Sequence, residues 1–279
     1  MLYSLSIRWA ASPEIFSIGP ITLRYYSILF VSGFIIGYYL MMRFFAREAL
    51  PNTLLDPLLY TLLGSALVGA RLGHCLFYEP AYYLANPGEI LKVWHGGLAS
   101  HGGAIAILIA IWFFVKKYGK RHSFDYLWLM ERIGIATALA GALIRVGNLM
   151  NSEIYGSVTN LPWGFIFVNR GEVLAKHPTQ LYEAAAYLIT FITLMLLYWK
   201  GLPKLKKGTL FGLFLIGIFG ARFFIEYVKE PQVGFETQMI EQIGLNMGQL
   251  LSIPFILGGV ALIVWGYIKR VPAARVEGS

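Results

Sequence analysis

Charged residues are scarce in this sequence. Of its 279 residues, 14% are charged and 57% are hydrophobic, and the mean hydropathy is +0.61. Soluble domains contain about 25% charged residues, so this chain could not cover a water-facing surface with polar groups. The composition excludes a soluble globular fold and predicts a protein that crosses a membrane several times.

Cysteine and aspartate are nearly absent as well. Cys75 is the only cysteine, which excludes an intrachain disulfide and a thiolate-rich metal site. Asp56 and Asp125 are the only aspartates, and both fall near the ends of apolar runs, which argues against an Asp-rich, metal-dependent phosphotransferase site. We therefore expect no metal and no cofactor. Because the first twenty residues lack a basic region followed by an apolar run, we expect no cleaved signal peptide.

Long apolar runs are what the sequence has instead. A membrane-spanning helix needs about 20 mostly apolar residues. Windows of this kind lie at about 20–43, 57–78, 98–115, 127–149, 181–199, 209–228 and 247–268. The sequence therefore predicts an all-α integral membrane protein with seven transmembrane helices, forming a single domain over residues 1–279. Residues 150–180 are expected to form a small extracytoplasmic head between the fourth and fifth helices.

Lysine and arginine are distributed unevenly among the loops. One alternate set of loops, with the carboxyl-terminal tail, holds Arg43, Arg47, Lys116, Lys117, Lys120, Arg121, Lys200, Lys204, Lys206, Lys207, Lys269, Arg270 and Arg275. The opposite set holds only Arg8, Lys92, Arg170, Lys176 and Lys229. Because basic loops stay in the cytoplasm, the amino terminus is predicted outside and the carboxyl terminus inside. The same rule accounts for the net charge of +8, and we expect no nucleic-acid partner.

The polar groups within the spans are concentrated in one half of the membrane. Ionisable side chains in a bilayer cost about 2.5–3.5 kcal/mol each on insertion scales and usually face the bundle interior. With the orientation above, the outer half contains Arg24, Arg71, His74, His101, Arg145, Asn148, Glu183, Arg222 and Glu226. Since arginine suits phosphate, this depth suggests a site for a phospholipid headgroup.

Helical spacing places some of these groups on common faces. The pairs are Arg71 with His74, Arg145 with Asn148, and Arg222 with Glu226. Glu226 could neutralise Arg222. Arg145 has no acidic residue within one turn, and its nearest in sequence, Glu153, lies beyond the span. We therefore expect Arg145 to be unpaired and to contact a ligand.

Structural interpretations compete with the functional ones. Arg24 could be an interfacial anchor, Arg71 with His74 a structural pair, and His101 a satisfied histidine at a helix end. Glycines that would permit close helix packing surround these positions: Gly64, Gly69, Gly73, Gly102, Gly103, Gly141, Gly217 and Gly220. In "HGGLASHGG", however, the glycine repeats also suggest backbone exposed to a ligand, which favours a function for His101.

Two other classes of protein could bury arginines in this way. A transporter or flippase for an anionic lipid or solute would need polar groups in the cytoplasmic half too, so that access could alternate. A non-enzymatic scaffold would bury only mutually satisfied pairs. A serine protease is disfavoured because Ser100 and His101 are adjacent in sequence, which is not the geometry that activates a serine.

The stretch "GALIRVGNLMNSEIYG", residues 141–156, resembles the signature of the prolipoprotein diacylglyceryl transferase family. Supporting stretches in the family's order are "LRYYSILF", "HGGLASHGG", "KHPTQLYEA", "ARFFIEYVKEP" and "MGQLLSIP". The chain departs from the family pattern at Ile144, Leu149 and Ala99–Ser100. It also departs at Lys229, where arginine is usual, and at Gln232, where aspartate is usual.

The resemblance implies an enzyme of the bacterial cytoplasmic (inner) membrane. Its substrates would be phosphatidylglycerol and a preprolipoprotein signal peptide with a lipobox cysteine, brought together in the lipid bilayer. The sn-1,2-diacylglyceryl group would pass to the cysteine thiol as a thioether, and glycerol 1-phosphate would leave. Arg145 and Arg222 would stabilise the charge on the departing phosphate, and His101 would take the thiol proton.

The remaining site residues are expected to bind or position the substrate. They are Tyr26, Asn148, Asn151, Glu153, Gly156, His177, Gln180, Glu183 and Glu226. Cys75 is not expected to be a nucleophile, because the alkylated sulfur belongs to the substrate and a lone buried cysteine usually behaves as a small hydrophobic residue.

Overall fold

A computed structural model describes residues 6–19, 21–230 and 244–273. Gln232 lies outside these residues. The contacts form two compact units, one made of the described residues up to Leu40 and from Met130, the other of Met41–Leu129. Each unit is described by itself, and the single domain predicted from the sequence stays a prediction.

Seven helices are long and apolar enough to cross a membrane, as predicted. The helices of the described chain are α1 (Tyr25–Arg47), α2 (Leu55–Phe77), the short α3 (Pro80–Ala85), α4 (Ser100–Tyr118), α5 (Tyr126–Met150), α6 (Thr179–Leu196), α7 (Thr209–Ile225) and α8 (Met247–Lys269). Apart from α3, each coincides with one predicted span to within a few residues.

The helices agree with the predicted all-α membrane fold, and the described residues also contain four short strands. β1 (Ile7–Trp9) pairs in parallel with β4 (Phe165–Phe167). β2 (Glu14–Ile18) and β3 (Ile21–Arg24) form an antiparallel hairpin. The first span therefore begins at Tyr25 and not near residue 20, because the apolar residues before Tyr25 belong to the hairpin. The protein is mostly helical.

Small residues bring helices together within the larger unit. A Cβ atom on Gly33 would lie 3.1 Å from Cβ of Ala140, which places α1 close against α5. α6 packs on α7, and α7 packs along α8, where a Cβ on Gly212 would lie 2.6 Å from the carbonyl oxygen of Gly259. The ends of α5, α6 and α7 are thereby held in one unit.

In the unit Met41–Leu129, α2 lies along α4 on a seam of glycines. A Cβ on Gly73 would lie 2.8 Å from Cα of Gly102, and a Cβ on Gly69 would lie 2.6 Å from the carbonyl oxygen of Gly102. Close packing is confirmed for Gly69, Gly73, Gly102, Gly103, Gly141 and Gly217. It was wrong for Gly64 and Gly220, where an added Cβ would meet nothing within 4 Å among the described residues.

The segment between α5 and α6 has a small core of its own. Leu149 packs there with Phe165 and Phe167 of β4. Beside this core Lys176 is buried and pairs with Glu172 and Glu230. Burial alone would lower the pKa of Lys176, but the two carboxylates outweigh it and raise the pKa. The pair of Lys176 with Glu230 joins this segment to the residues that follow α7.

Candidate active site

A continuous series of ion pairs joins α5, α6 and the end of α7. Glu183, fully buried in α6, lies with Oε2 3.0 Å from Nε of Arg145 and with Oε1 3.4 Å from Nζ of Lys229. Nζ of Lys229 is also 3.1 Å from Oε1 of Glu226, which in turn lies 3.5 Å from Nε of Arg222. We call these five residues the ion-pair chain.

The expectation that Arg145 is unpaired was wrong. Its partner Glu183 is distant in sequence and becomes a neighbour only because α5 and α6 lie in the same unit. The contact is an ion pair without hydrogen-bond alignment, since Oε2 of Glu183 has no hydrogen-bond partner among the described residues. The predicted pairing of Arg145 with Asn148 is confirmed, with Nη1 donating to Oδ1 over 3.3 Å.

The charges of the ion-pair chain do not cancel. Its cations are Arg145, Arg222 and Lys229, whereas its carboxylates are Glu183 and Glu226. Buried charges that are not compensated are costly, so the positive excess favours an additional anion. Arg222 is the most exposed of the three cations: its side chain is 37% exposed, against 16% for Arg145 and 5% for Lys229.

Amide side chains connect the ion-pair chain to the turn after α5. Glu153 Oε1 accepts hydrogen bonds from Nδ2 of Asn148 over 2.7 Å and from Nδ2 of Asn151 over 3.2 Å. Gln180 donates from Nε2 to the carbonyl oxygen of Glu153 over 2.6 Å. The structure thus brings together Asn148, Asn151, Glu153 and Gln180 beside Arg145, as predicted. With Glu153 included the positive excess is balanced, but Glu153 is held by amides and not by a cation.

Gly156 and His177 meet across a tight backbone contact. Gly156 N–H donates to the carbonyl oxygen of His177 over 2.8 Å, and a Cβ on Gly156 would lie 2.7 Å from Cβ of His177. Trp163 Nε1 donates to the hydroxyl oxygen of Tyr182, which lies 3.2 Å from Nδ1 of His177. Burial lowers the pKa of His177, which favours the neutral form of the ring.

Tyr26 lies at the start of α1, next to the same stretch of α5. A Cβ on Gly147 would be 2.8 Å from Cδ2 of Tyr26, so only glycine lets the ring approach so closely. Gly147 stands between Arg145 and Asn148 in sequence. The ring of Tyr26 therefore lies beside the stretch of α5 that carries Arg145 and Asn148. Its predicted role in binding substrate stays a prediction.

The contribution of α8 to the polar cluster was not predicted from the sequence. Asn246 and Gln249 form a reciprocal cap at the start of this helix, with Asn246 Oδ1 accepting from Gln249 N–H over 2.8 Å. The Nδ2 of Asn246 donates to both the carbonyl oxygen and Oε2 of Glu226 over 3.2 Å. The spacing Asn-x-x-Gln before an apolar run is the signal that could have identified the cap.

Three predicted residues make other contacts. Arg24 is exposed at the end of β3 and pairs with Glu14 over 3.5 Å, in line with a structural role. His101 is the second residue of α4 and is exposed; it belongs to the unit Met41–Leu129. In that unit Arg71 hydrogen-bonds backbone carbonyls and not His74.

Seven apolar helices indicate a multi-pass membrane protein, and a buried cluster of ion pairs joins three of them. Residues 13–265 match the family prolipoprotein diacylglyceryl transferase, and the chain belongs to this family. The resemblance inferred from the motifs is confirmed.

Three similar relatives carry the name phosphatidylglycerol–prolipoprotein diacylglyceryl transferase. The one from Tolumonas auensis is 47% identical over 256 residues, covering 92% of this chain and 96% of the relative. The one from Chloroherpeton thalassium is 45% identical over 271 residues, covering 97% of each. The one from Porphyromonas gingivalis is 44% identical over 268 residues, covering 92% of this chain and 94% of the relative.

Proposed function

We propose that this chain transfers the sn-1,2-diacylglyceryl group of phosphatidylglycerol to the lipobox cysteine of a preprolipoprotein. The observation that carries the proposal is the near-full-length similarity to relatives named for this activity. The residues of the ion-pair chain all fall inside the matched range, 13–265. Their geometry supports the proposal because it offers cations to a phosphate.

The reaction exchanges a carbon–oxygen bond for a carbon–sulfur bond. The substrate sulfur attacks the glyceryl carbon that carries the phosphate, and the bond from this carbon to the phosphate oxygen breaks. The electron pair stays with the departing glycerol 1-phosphate, whose phosphate gains one negative charge. The thiol, with an ordinary pKa of about 8.5, gives its proton to a base. Negative charge therefore develops at the phosphate, which is where cations lower the barrier.

The ion-pair chain fits this charge development. Arg222, whose side chain is 37% exposed, would contact the phosphate directly. Arg145, held against Glu183 and Asn148, would present its fixed guanidinium to the same group. Because these cations are already oriented before the reaction, they stabilise the dianionic leaving group more than the monoanionic substrate. Lys229 keeps the two carboxylates from repelling that charge.

His101 is our candidate for the base that takes the thiol proton. Its support is an exposed imidazole in the first turn of α4, preceded and followed by glycines. The test is a pH–rate profile of the full-length protein beside that of His101→Gln. We expect the variant to lose the rise in rate on the acidic side, because no imidazole remains to be deprotonated. An unchanged profile would remove His101 from this role.

We also propose the orientation and location. The Lys/Arg asymmetry of the loops supports an outside amino terminus and a cytoplasmic carboxyl terminus. With this orientation the ends of α5 and α7 that carry the ion-pair chain face outward, and residues 150–180 form an extracytoplasmic head. The substrates support a location in the bacterial inner membrane. Cysteines introduced singly at Ser157 and Lys120, in a Cys75→Ala background, should be labelled by an impermeant thiol reagent from outside and inside, respectively.

A transfer assay tests the proposed activity. Membranes containing the protein are incubated with a lipobox peptide and phosphatidylglycerol that carries tritium in the glyceryl carbons of its diacylglyceryl group. We expect label on the peptide that survives base, since base removes acyl esters but leaves the thioether. A peptide with serine in place of the cysteine is the control. Label that crosses the membrane without joining the peptide would instead indicate a transporter.

A further inference from the structure

Arg71 donates four hydrogen bonds to backbone carbonyl groups in the unit Met41–Leu129, although no role has been assigned to it so far. It lies in α2 and is 3% exposed. Its donors go to four backbone carbonyl oxygens: Nη2 to Glu89 over 2.5 Å, Nε to Ile90 over 2.9 Å, and Nη1 to Gly96 over 2.5 Å and Gly97 over 3.3 Å. The guanidinium also stacks 5.0 Å from the ring centroid of Tyr83.

These hydrogen bonds hold an irregular segment in place. Residues 89–97 contain only single turns of 3-10 helix, so their carbonyl groups are not paired by long regular structure. Buried carbonyl groups need partners, and one planar guanidinium supplies several at once. Gly96 and Gly97 have φ of 85° and 70°, a conformation that turns their oxygens toward Arg71 at little steric cost.

The segment fixed by Arg71 leads directly to His101. Gly97 lies against the next turn of α2, where an added Cβ would be 2.6 Å from Nε2 of His74. Ala99 N–H then donates to the carbonyl oxygen of Ala70 over 2.8 Å, and Gly102 rests on the glycine seam of α2. The backbone on both sides of His101 is therefore attached to α2, while the imidazole is exposed.

We propose that Arg71 is a positioning residue for His101. By holding residues 89–97, its guanidinium sets where the first turn of α4 begins and hence where the imidazole can reach a thiol. This inference rests on the proposed function, because it takes His101 as the base. The glycine seam joins α2 to α4 independently of Arg71, so loss of the guanidinium displaces the segment without separating the helices.

The test combines Arg71 and His101 variants in the full-length protein. Arg71→Lys keeps the charge but loses the planar fork, and Arg71→Gln loses both. We expect kcat to fall about tenfold for Arg71→Lys and about a hundredfold for Arg71→Gln, since small displacements of a catalytic group cost this much. KM for the lipobox peptide should change little. In a His101→Gln background the same substitutions should cost less than twofold. Arg121→Gln, in an exposed loop of the same unit, is the matched control.

Each contrary outcome overturns the inference. Equal losses with and without His101 would show that Arg71 acts independently of it, and full activity of Arg71→Gln would show that the segment needs no fixing. A fully active His101→Gln protein would refute the base assignment and this inference with it, while leaving the transfer activity established.

A second measurement does not depend on turnover. The rate at which diethyl pyrocarbonate modifies His101, read by mass spectrometry, should differ at least threefold between Arg71→Gln and the unsubstituted protein if the segment positions the ring. Equal rates would overturn the inference even if no transfer were detected. Absent transfer by the unsubstituted protein would refute the proposed function separately.

Discussion

Helix α5 carries a buried charged cluster near each end, and the two clusters differ in how their hydrogen bonds are completed. Near its start, Glu131 and Arg132 are both fully buried. Glu131 Oε1 accepts from the backbone N–H groups of Gly208 over 2.8 Å and Leu210 over 3.3 Å, while Oε2 lies 3.0 Å from Nη1 of Arg132. Arg132 Nη2 donates to the carbonyl oxygen of Ala273 over 3.2 Å.

Near the other end of α5, several buried polar atoms lack a hydrogen-bond partner among the described residues. Oδ1 of Asn151, Oε1 of Gln180, Oε2 of Glu183 and Nε of Arg222 are buried without a hydrogen-bond partner among the described residues, whereas no atom of Glu131 or Arg132 is in this state. Buried polar atoms in native proteins are nearly always paired. Oγ1 of Thr209, between Gly208 and Leu210, is also without a partner among the described residues, so the clusters differ in degree. The charged atoms of the first cluster are all paired, whereas the second has charged atoms without a hydrogen-bond partner in the described part of the chain.

The largest expected effect is on Arg145. Arg145→Ala should lower transfer activity by about a thousandfold, because an oriented cation at the leaving phosphate is lost. Glu183 keeps Lys229 as a partner, so the amount of protein in the membrane should not change. The transfer assay on equal amounts of purified protein measures this. Arg121→Ala is the matched control, and near-normal activity of Arg145→Ala would place the ion-pair chain with the structural clusters.

Glu131→Ala should have the opposite profile. It removes the carboxylate beside buried Arg132 and the acceptor for two backbone groups, which should cost about 3 kcal/mol in the free energy of unfolding. Activity per folded molecule should stay near normal. Glu131→Gln, which keeps an acceptor, should be less destabilised. Thermal unfolding in detergent gives the stability, and a stable but inactive Glu131→Ala protein would contradict the distinction between the clusters.

Asn148→Ala should fall between these two in its effect on activity. Asn148 connects Arg145 to Glu153 through its two amide atoms, so its loss removes one of the contacts that orient the guanidinium and one of the amide donors to the carboxylate of Glu153. We expect transfer to drop about a hundredfold. Asn148→Asp tests the electrostatics, since an added negative charge beside the phosphate should be at least as harmful as alanine. If both variants transferred normally, Arg145 would not need Asn148 to orient its guanidinium group.

Cys75→Ala should have the smallest effect. The thiol is buried in α2, with 3% of the residue exposed, and loss of this small apolar group should cost about 1 kcal/mol of stability. Transfer activity should be unchanged, because the reacting sulfur belongs to the substrate. An inactive Cys75→Ala protein that is folded would overturn that assignment.

The spans could be predicted from the sequence because membrane thickness fixes the length of an apolar run. The hairpin of β2 and β3 could not be predicted, because its strands are short, largely apolar and continuous in sequence with α1. A hydropathy window merges such residues into the following helix. Residues 80–95 were missed for a similar reason, because α3 and the single 3-10 turns after it are too short to show a period.

The site was predictable where contacts are local in sequence. The pairs Arg145–Asn148 and Arg222–Glu226 follow from helical spacing and are present. The pairing of Arg145 with Glu183 depends on which helices become neighbours, and periodicity carries no information about that. The position of Lys229 between two carboxylates was likewise hidden, because Glu183 is far away along the chain.

Lys229 links helix α6 to the end of helix α7 within the site. Its ammonium group touches a carboxylate from α6 and another from the end of α7. Because Lys229 and Glu226 are three residues apart on the same segment, a separation of the two helices that admitted a lipid from the side would break the contact with Glu183 and leave the one with Glu226. A headgroup that supplied its own negative charge to the ammonium would compensate for that loss, so entry would be easier for acidic lipids than for zwitterionic ones before any chemistry begins.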